Sequence, residues 1–322
     1  PSVVQINALI KTENGTIPQV STGFIYDNRG HILTSFSAID GALEGNISVL
    51  FSDRSNHTAE VVGSDRHSDL AVLSVANISK NELTPLTLAN SSQLRIGENV
   101  VSVGNHFSYT NVLTHGIVGK LGVLSLPNPE DNESFAIPDT ILTDVPINEG
   151  GNGSPLLNTE GEVVGVNIAY YSLTGNIVGI SLAVTSNTVS KIARSLVENG
   201  SYLHPYLGVS GTDMTADIGK ILKLNQSTGF LVIDVDPTSP AAKAGVRGGL
   251  KQAEINGYPI KLGGDIIMTI DNHSVTQFED ILNYLEEHKK AGDNVYLTTL
   301  RDGKLNKFNI ILDARPDLQE ND

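Results

Sequence analysis

Serine, histidine and aspartate are the residue types that could carry catalysis in this chain, because it contains no cysteine. A serine hydroxyl is a weak nucleophile until a neighbouring base accepts its proton, and that base must itself be held in orientation. The glycine-rich stretch INEGGNGSPLLN, residues 147–158, could present backbone N–H groups and a serine hydroxyl within one turn. The search for chemistry therefore starts at this turn and asks which groups could face it.

Two histidines are the nearest candidates by sequence for a base. His31 belongs to a predicted hairpin and His106 to the turn GNHF, and both positions also suit an ordinary surface or packing residue. His57 and His67 are ten residues apart and do not share a helical face, so we expect no metal site. We expect no cofactor either.

Composition narrows the class of protein. The 322 residues carry a formal net charge of -15 and no cluster of Lys and Arg, so we expect no nucleic-acid partner. No run of about 18 apolar residues is present, so we expect no transmembrane segment. The chain opens on the strand-like PSVVQINALI, and we expect that any signal peptide or anchor was removed or was never present.

The glycan-acceptor pattern Asn-x-Ser/Thr recurs more often than the roughly four occurrences that we expect from composition alone. It occurs at Asn14, Asn46, Asn56, Asn77, Asn90, Asn132, Asn199, Asn225 and Asn272, and also at Asn152, which we exclude because it lies in the glycine-rich turn close to Pro155. The pattern matters only in an exported protein, and an Asn- and Ser-rich chain also produces it freely. We expect an extracytoplasmic glycoprotein from the periplasm, the cell surface or the medium.

The elements that must position these residues form two series. Up to about residue 185, short apolar runs alternate with turns, as in the hairpin GFIYDNRGHILTS, which is typical of barrels or a sandwich. Residues 188–200 are predicted to form a helix that ends at Gly200. A second unit begins near residue 203, with further strands and predicted helices at 241–244 and 276–290.

Several long motifs now resemble one family. STGFIYDNRGHILTS, SDRHSDLAVLSV, NVVSVGNHF and ILTDVPIN followed by PLLNTEGEVVGVN resemble the protease domain of the HtrA (DegP/DegS-like) family, and HPYLGV and VDPTSPAAKAGVRGG resemble its PDZ domain. The resemblance implies a mainly β chain, with a chymotrypsin-like double β-barrel over 1–200 followed by an α+β PDZ domain over 203–315. It also implies a homotrimer.

The resemblance assigns the family's catalytic positions. The segment ILTSFSAI places Ser37 where the family has its histidine, and DLAVL keeps the family's aspartate as Asp69. The ungapped segment INEGGNGSPLLN places Asn152 where the family has its serine, and it makes Gly150 and Gly151 the remnant of the oxyanion loop. We expect the Ser37 hydroxyl to donate to the Asp69 carboxylate, and we expect the loop either to point N–H groups inward or, given Gly151, to be loose or collapsed.

Three functions remain open on this sequence. With histidine and serine replaced, the first expectation is a pseudoprotease, which is not an enzyme but binds unfolded chains or C-terminal tails as a chaperone or scaffold. The second is an active serine endopeptidase with a non-standard site, using Ser154 or a histidine from elsewhere. The third is a purely structural protein of the cell envelope.

The peptide-binding residues are also implied by the resemblance. The segment Tyr206, Leu207, Gly208 and Val209 would hold a peptide carboxylate by backbone N–H groups, while a peptide strand is added to the sheet edge. The facing wall would be the helix that carries Ile281, Leu282 and Leu285, although simple core packing explains these apolar residues equally well. An insert at 250–261 is predicted to form a hairpin around Asn256 and Gly257, with no role assigned.

Overall fold

The chain folds into two compact units, Pro1–Tyr202 and Leu203–Asp317. The computed structural model describes residues 1–12, 15–76, 78, 83–106, 109–127, 134–168, 179–224, 227–255 and 258–317. No helix in this described part is long and apolar enough to cross a membrane.

The first unit begins with a closed six-stranded barrel. Its strands are β1 (Val3–Thr12), β2 (Gly15–Ile25), β3 (His31–Ser35), β4 (Ala42–Leu50), β5 (Asn56–Asp65) and β6 (Leu70–Val75), in the order β1-β2-β3-β6-β5-β4. In β1 every second side chain from Val4 to Ile10 is buried, as the alternating pattern of a half-buried strand requires. A 3-10 turn at Phe36–Ala38 follows β3, so it lies at the end of a barrel strand.

A second closed barrel completes this unit. It contains β7 (Asn99–Gly104), β8 (Val112–Pro127), β9 (Ser134–Thr143), β10 (Pro155–Leu157), β11 (Val163–Ile168) and β12 (Ser181–Thr185), in the order β10-β11-β12-β9-β8-β7. Another 3-10 turn spans Ser91–Gln93. Because β10 pairs with both β7 and β11, the glycine-rich turn before β10 lies next to the residues that follow β7.

Helix α1 (Ser186–Asn199) packs against both barrels. Its Val189, Ile192 and Leu196 are buried together with Phe24 of the first barrel and Val166 of the second. The helix begins two residues before the predicted start and ends, as predicted, at Gly200, whose φ of 79° is the left-handed cap that glycine favours.

In its described residues, the second unit contains one main sheet, two two-stranded sheets and three helices. Its strands are β13 (Pro205–Tyr206), β14 (Val209–Asp213), β15 (Phe230–Val235), β16 (Lys251–Ile255), β17 (Tyr258–Leu262), β18 (Ile266–Ile270), β19 (His273–Ser274), β20 (Asn294–Arg301), β21 (Lys304–Ile311) and β22 (Asp313–Ala314), and its helices are α2 (Ala216–Ile221), α3 (Pro240–Ala244) and α4 (Phe278–His288). The main sheet runs β14-β15-β18-β20-β21, so β14 is an edge strand. Together with the two barrels this confirms the predicted fold class.

The insert is a two-stranded hairpin. Strands β16 and β17 pair in register from Lys251 opposite Leu262 to Ile255 opposite Tyr258. The predicted turn residues Asn256 and Gly257 lie outside the described residues.

A buried ion pair supports the second unit. Asp265 is fully buried, and its two carboxylate oxygens accept hydrogen bonds from Arg301 Nε at 2.7 Å and Nη2 at 2.6 Å. The backbone N–H of Arg247 donates to the same carboxylate at 2.9 Å. This bidentate geometry satisfies a charge that would be very unfavourable to bury alone.

Replacing Asp265 by Ala should therefore lower the free energy of unfolding of this unit by about 3–5 kcal/mol, because Arg301 would keep a partly buried charge without its partner. The measurement is urea unfolding followed by hydrogen exchange of peptides from β18. The matched control is Lys243→Ala, which removes an exposed ion pair with Asp313 and should change the stability by less than about 1 kcal/mol. Equal effects of the two variants would contradict this assignment.

Candidate functional site

Ser37 and Asp69 form the first part of the site. Ser37 lies in the turn after β3, and its Oγ donates to Asp69 Oδ2 at 3.0 Å while its backbone N–H donates to Oδ1 at 2.6 Å. The predicted hydrogen bond is thus present. Asp69 has a φ of 54°, an unfavourable conformation for a residue with a side chain, which is stabilised here by the contacts with Ser37 and by the Phe36 N–H bonded to its carbonyl at 3.0 Å.

The glycine-rich turn forms the second part, and it is neither loose nor collapsed. Thr22 of β2 donates its backbone N–H to the Asn152 carbonyl at 3.0 Å and its hydroxyl to the Gly150 carbonyl at 2.7 Å. The Gly153 N–H donates to the Asn167 carbonyl at 2.8 Å. The turn is therefore fastened to one strand of each barrel.

Glycine is required at two places in this turn. Gly150 has a φ of 87°, and a Cβ there would lie 2.1 Å from the Asn105 carbonyl oxygen. Gly153 has a φ of 79°, and its Cβ would lie 2.2 Å from the Thr22 carbonyl oxygen. The same position would be 2.8 Å from the backbone nitrogen of Ser35, so the turn lies against the end of β3, two residues before Ser37.

Two N–H groups of the turn could receive a substrate carbonyl. Gly151 donates its N–H to the Asn148 carbonyl at 2.8 Å and is therefore used inside the turn. Among the hydrogen bonds of the described residues, none is donated by the backbone N–H of Gly150 or Asn152. Free N–H groups at a fixed turn are the arrangement that stabilises a developing oxyanion.

Ser154 is enclosed beneath this turn. It is fully buried, and its Oγ lies 3.0 Å from Ser102 Oγ and accepts from Asn167 Nδ2 at 3.0 Å. Ser102 and Asn167 are also fully buried. A nucleophile must reach its substrate, so the position of Ser154 does not fit the displaced-nucleophile alternative.

The two histidines considered as bases occupy different environments. His31 Nδ1 lies 2.8 Å from the carboxylate of Asp27 in the β2–β3 hairpin. His106 is buried, and its Nδ1 accepts from the backbone N–H of Asn148 at 3.3 Å. Burial lowers the pKa of His106 from its ordinary value. The sequence placed His106 in the turn GNHF but gave no signal for its contact with Asn148.

In the second unit, the segment before β14 has the features of a carboxylate-binding loop. Gly208 has a φ of 81°, and a Cβ there would lie 2.0 Å from the Ser239 Cβ. The carbonyls of Leu207 and Gly208 accept from the N–H groups of Ala241 and Asp236. The N–H groups of Leu207 and Gly208 donate none of the hydrogen bonds found in the described chain, so they are available to a ligand.

Helix α4 is tied to this region at both ends. The Phe278 N–H donates to Asp213 Oδ1 at 2.6 Å, next to the end of β14, and Glu286 Oε1 lies 2.6 Å from His204 Nδ1. The buried Ile281 and Leu285 belong to the apolar core, as the core-packing alternative allowed, whereas Leu282 is half-buried. Tyr206 and Val209 are half-buried as well, and Tyr206 Oη donates to Asp236 Oδ2 at 3.1 Å.

Two family models match the chain in the order of its two units. Residues 21–166 match a trypsin-like peptidase domain, and residues 205–312 match a PDZ domain.

Relatives with known names match along most of the chain. Protease Do-like 1, chloroplastic, from Arabidopsis thaliana is 33% identical over 98% of this chain and 70% of its own length. The periplasmic pH-dependent serine endoprotease DegQ of Escherichia coli is 35% identical over 89% of this chain and 57% of its own length. The chain thus spans little more than half the length of several relatives that it matches.

A solved structure agrees with the fold. The HtrA-type protease AlgW with a tripeptide superposes with a TM-score of 0.79 at 26% identity, covering 99% of this chain and 95% of that one.

These matches correct one expectation from the sequence. The chain was expected not to be an enzyme, because histidine and serine are replaced at Ser37 and Asn152. That expectation is wrong, since relatives with 33–39% identity over most of the chain are named proteases or serine endoproteases. On the identity and coverage of these relatives, and on the order of its two domains, the chain belongs to the HtrA family of trypsin-like peptidases with a PDZ domain.

Proposed function

We propose that this chain is a serine-type endopeptidase of polypeptides with a non-standard site, and that its PDZ domain holds C-terminal segments of other proteins. The observation that carries the catalytic part is the half-exposed Ser37 hydroxyl, which donates to the Asp69 carboxylate beside the fastened Gly150–Asn152 turn. The names of the relatives support the same activity.

The chemistry requires one base and one hydroxyl. Ser37 Oγ attacks the substrate carbonyl and passes its proton to Asp69, while the N–H groups of Gly150 and Asn152 receive the oxyanion. The C–N bond then breaks as the leaving amine takes that proton, and water hydrolyses the acyl ester. A carboxylate is a weaker base than imidazole near neutral pH, so we expect turnover lower than that of a complete triad by roughly 10⁶.

Peptide binding is the second part of the proposal, and it does not depend on cleavage. The open edge of β14 can accept an extended peptide as an added strand, and the N–H groups of Leu207 and Gly208 can hold its carboxylate. Val209 and Leu282 are half-buried and present apolar surface for the terminal side chain. Such binding also suits a chaperone or scaffolding role toward unfolded chains.

We propose an extracytoplasmic location and a homotrimer. Support for the location comes from relatives whose names place them in the periplasm or the chloroplast. The glycan-acceptor candidates Asn46, Asn56, Asn90, Asn199 and Asn272 are all exposed, which suits modification after export. The other four, Asn14, Asn77, Asn132 and Asn225, lie outside the described residues.

A fluorophosphonate probe should label Ser37, because the probe reacts with a hydroxyl that a neighbouring base activates. Labelling is followed by mass spectrometry of tryptic peptides. Ser37→Ala should abolish it and Asp69→Asn should reduce it at least tenfold. Ser154→Ala should leave labelling in place while lowering the free energy of unfolding by about 1–3 kcal/mol, since Asn167 loses an acceptor. Labelling of Ser154, or of no residue, would contradict the proposed nucleophile.

For the PDZ domain, Gly208→Ala should weaken binding of a peptide with an apolar C-terminal residue more than tenfold, because the new Cβ collides with Ser239 and displaces the N–H groups of the loop. Binding is measured by fluorescence anisotropy on the full chain. The matched control is Gly303→Ala in the β20–β21 turn, which also has a positive φ, 74°, but nothing within 4 Å of the new Cβ. Tight binding of an amidated peptide, or equal losses in both variants, would rule out this carboxylate site.

A further inference from the structure

His106 fills the space beneath the glycine-rich turn. A Cβ on Gly151 would lie 2.4 Å from His106 Cε1 and 2.7 Å from Nδ1, so the ring occupies the volume that a side chain at 151 would need. His106 is 1% exposed, and its ring also lies against Gly104 at the end of β7, where a Cβ would be 3.3 Å from Nε2. Ring and turn are therefore in direct contact through a glycine.

The hydrogen bond from Asn148 fixes the state of this ring. Nδ1 accepts from the Asn148 N–H at 3.3 Å, and only an unprotonated nitrogen can accept. The proton of the neutral ring is therefore on Nε2, which has no hydrogen-bond partner within the described structure. A buried donor without an acceptor is unfavourable, so the presence of a histidine at position 106 needs an explanation.

We propose that His106 is a positioning residue for the turn from Asn148 to Asn152: its neutral imidazole holds the turn in place, and protonation of the ring releases it. This inference rests on the proposed function, because the turn carries the N–H groups that would receive the substrate carbonyl. A second proton would turn Nδ1 into a donor that faces the Asn148 N–H, and it would place a charge in a buried site.

Among the described residues, the contacts established for the ring carry no compensating charge, since they come from Gly104 in β7 and from Asn148 and Gly151 in the turn. The charged side chain of the turn, Glu149, is exposed. Burial accordingly lowers the pKa of His106.

The lowered pKa of His106 determines how the stability of the folded state depends on pH. A histidine whose pKa is lowered in the folded state binds protons more readily when unfolded, so its neutral form favours folding. Its contribution is complete above the ordinary pKa of about 6.5 and declines as the pH falls below that value. The turn should thus be held at neutral pH and loosened in acid.

The test is nuclear magnetic resonance of the full chain labelled with ¹³C-histidine and ¹⁵N-glycine. We expect the titration midpoint of His106 to lie below the ordinary value of about 6.5. We expect the chemical shifts of the Gly150, Gly151 and Gly153 amides to change with the same midpoint. In His106→Gln, which cannot be protonated in this range, these coupled shifts should disappear. In His115→Gln, which removes an exposed histidine of β8, they should remain.

The outcomes separate this inference from the proposed catalysis, because no cleavage is measured. Titration of His106 without movement of the glycine amides would overturn it, as would coupled shifts that persist in His106→Gln. If His106→Gln does not fold, the titration of the unsubstituted chain decides alone, since matching midpoints are required. If the chain shows the coupled shifts but does not cleave polypeptides, only the proposed peptidase activity is contradicted.

Discussion

The candidate catalytic site depends on Thr22, whose N–H and hydroxyl join the two barrels. Its N–H and hydroxyl bind the carbonyls of Asn152 and Gly150. Its carbonyl accepts from the Thr34 hydroxyl at 2.7 Å, and its Oγ1 accepts from the Asn105 N–H at 2.8 Å. Because Thr22 is fully buried, a network satisfied in this way is rigid, and removal of any member would leave an unpaired polar group.

Because of this network, the shape of the site does not depend on which reactive side chains it carries. The turn is held by Thr22, by other backbone hydrogen bonds and by glycines that admit no side chain, so its two unused N–H groups keep their place whichever residues stand at positions 37 and 152. Oxyanion stabilisation of this kind is often the largest contribution to catalysis. A chain with altered side chains can therefore retain a share of the family's chemistry, and Ser37 with Asp69 is the pair available to use it.

Features with a local signal could be predicted from the sequence. The β2–β3 hairpin followed from Asp27 to Gly30, the end of α1 from Gly200, and the Ser37–Asp69 hydrogen bond from the family resemblance. The network of Thr22 could not be predicted, because it joins residues up to about 130 positions apart and leaves no periodic pattern. The same holds for the burial of Ser154 and for the contact of His106 with Gly151.

The expectation of an inactive protein failed for a related reason. It was drawn from two side-chain types at single positions, whereas the named relatives match the chain over most of its length. The hydrogen bond from Ser37 to Asp69 was itself expected, but it was taken only as a partner for the carboxylate, although it also places a base beside a candidate nucleophile.

The most direct test of the central claim is the cleavage of unfolded casein by the purified chain in H₂¹⁸O over several days. New peptide C-termini are identified by mass spectrometry. The account predicts that such termini appear slowly, carry ¹⁸O from the hydrolysis step, and are absent when Ser37→Ala replaces the unsubstituted chain. Absence of new termini from both chains, or equal cleavage by both, would contradict it.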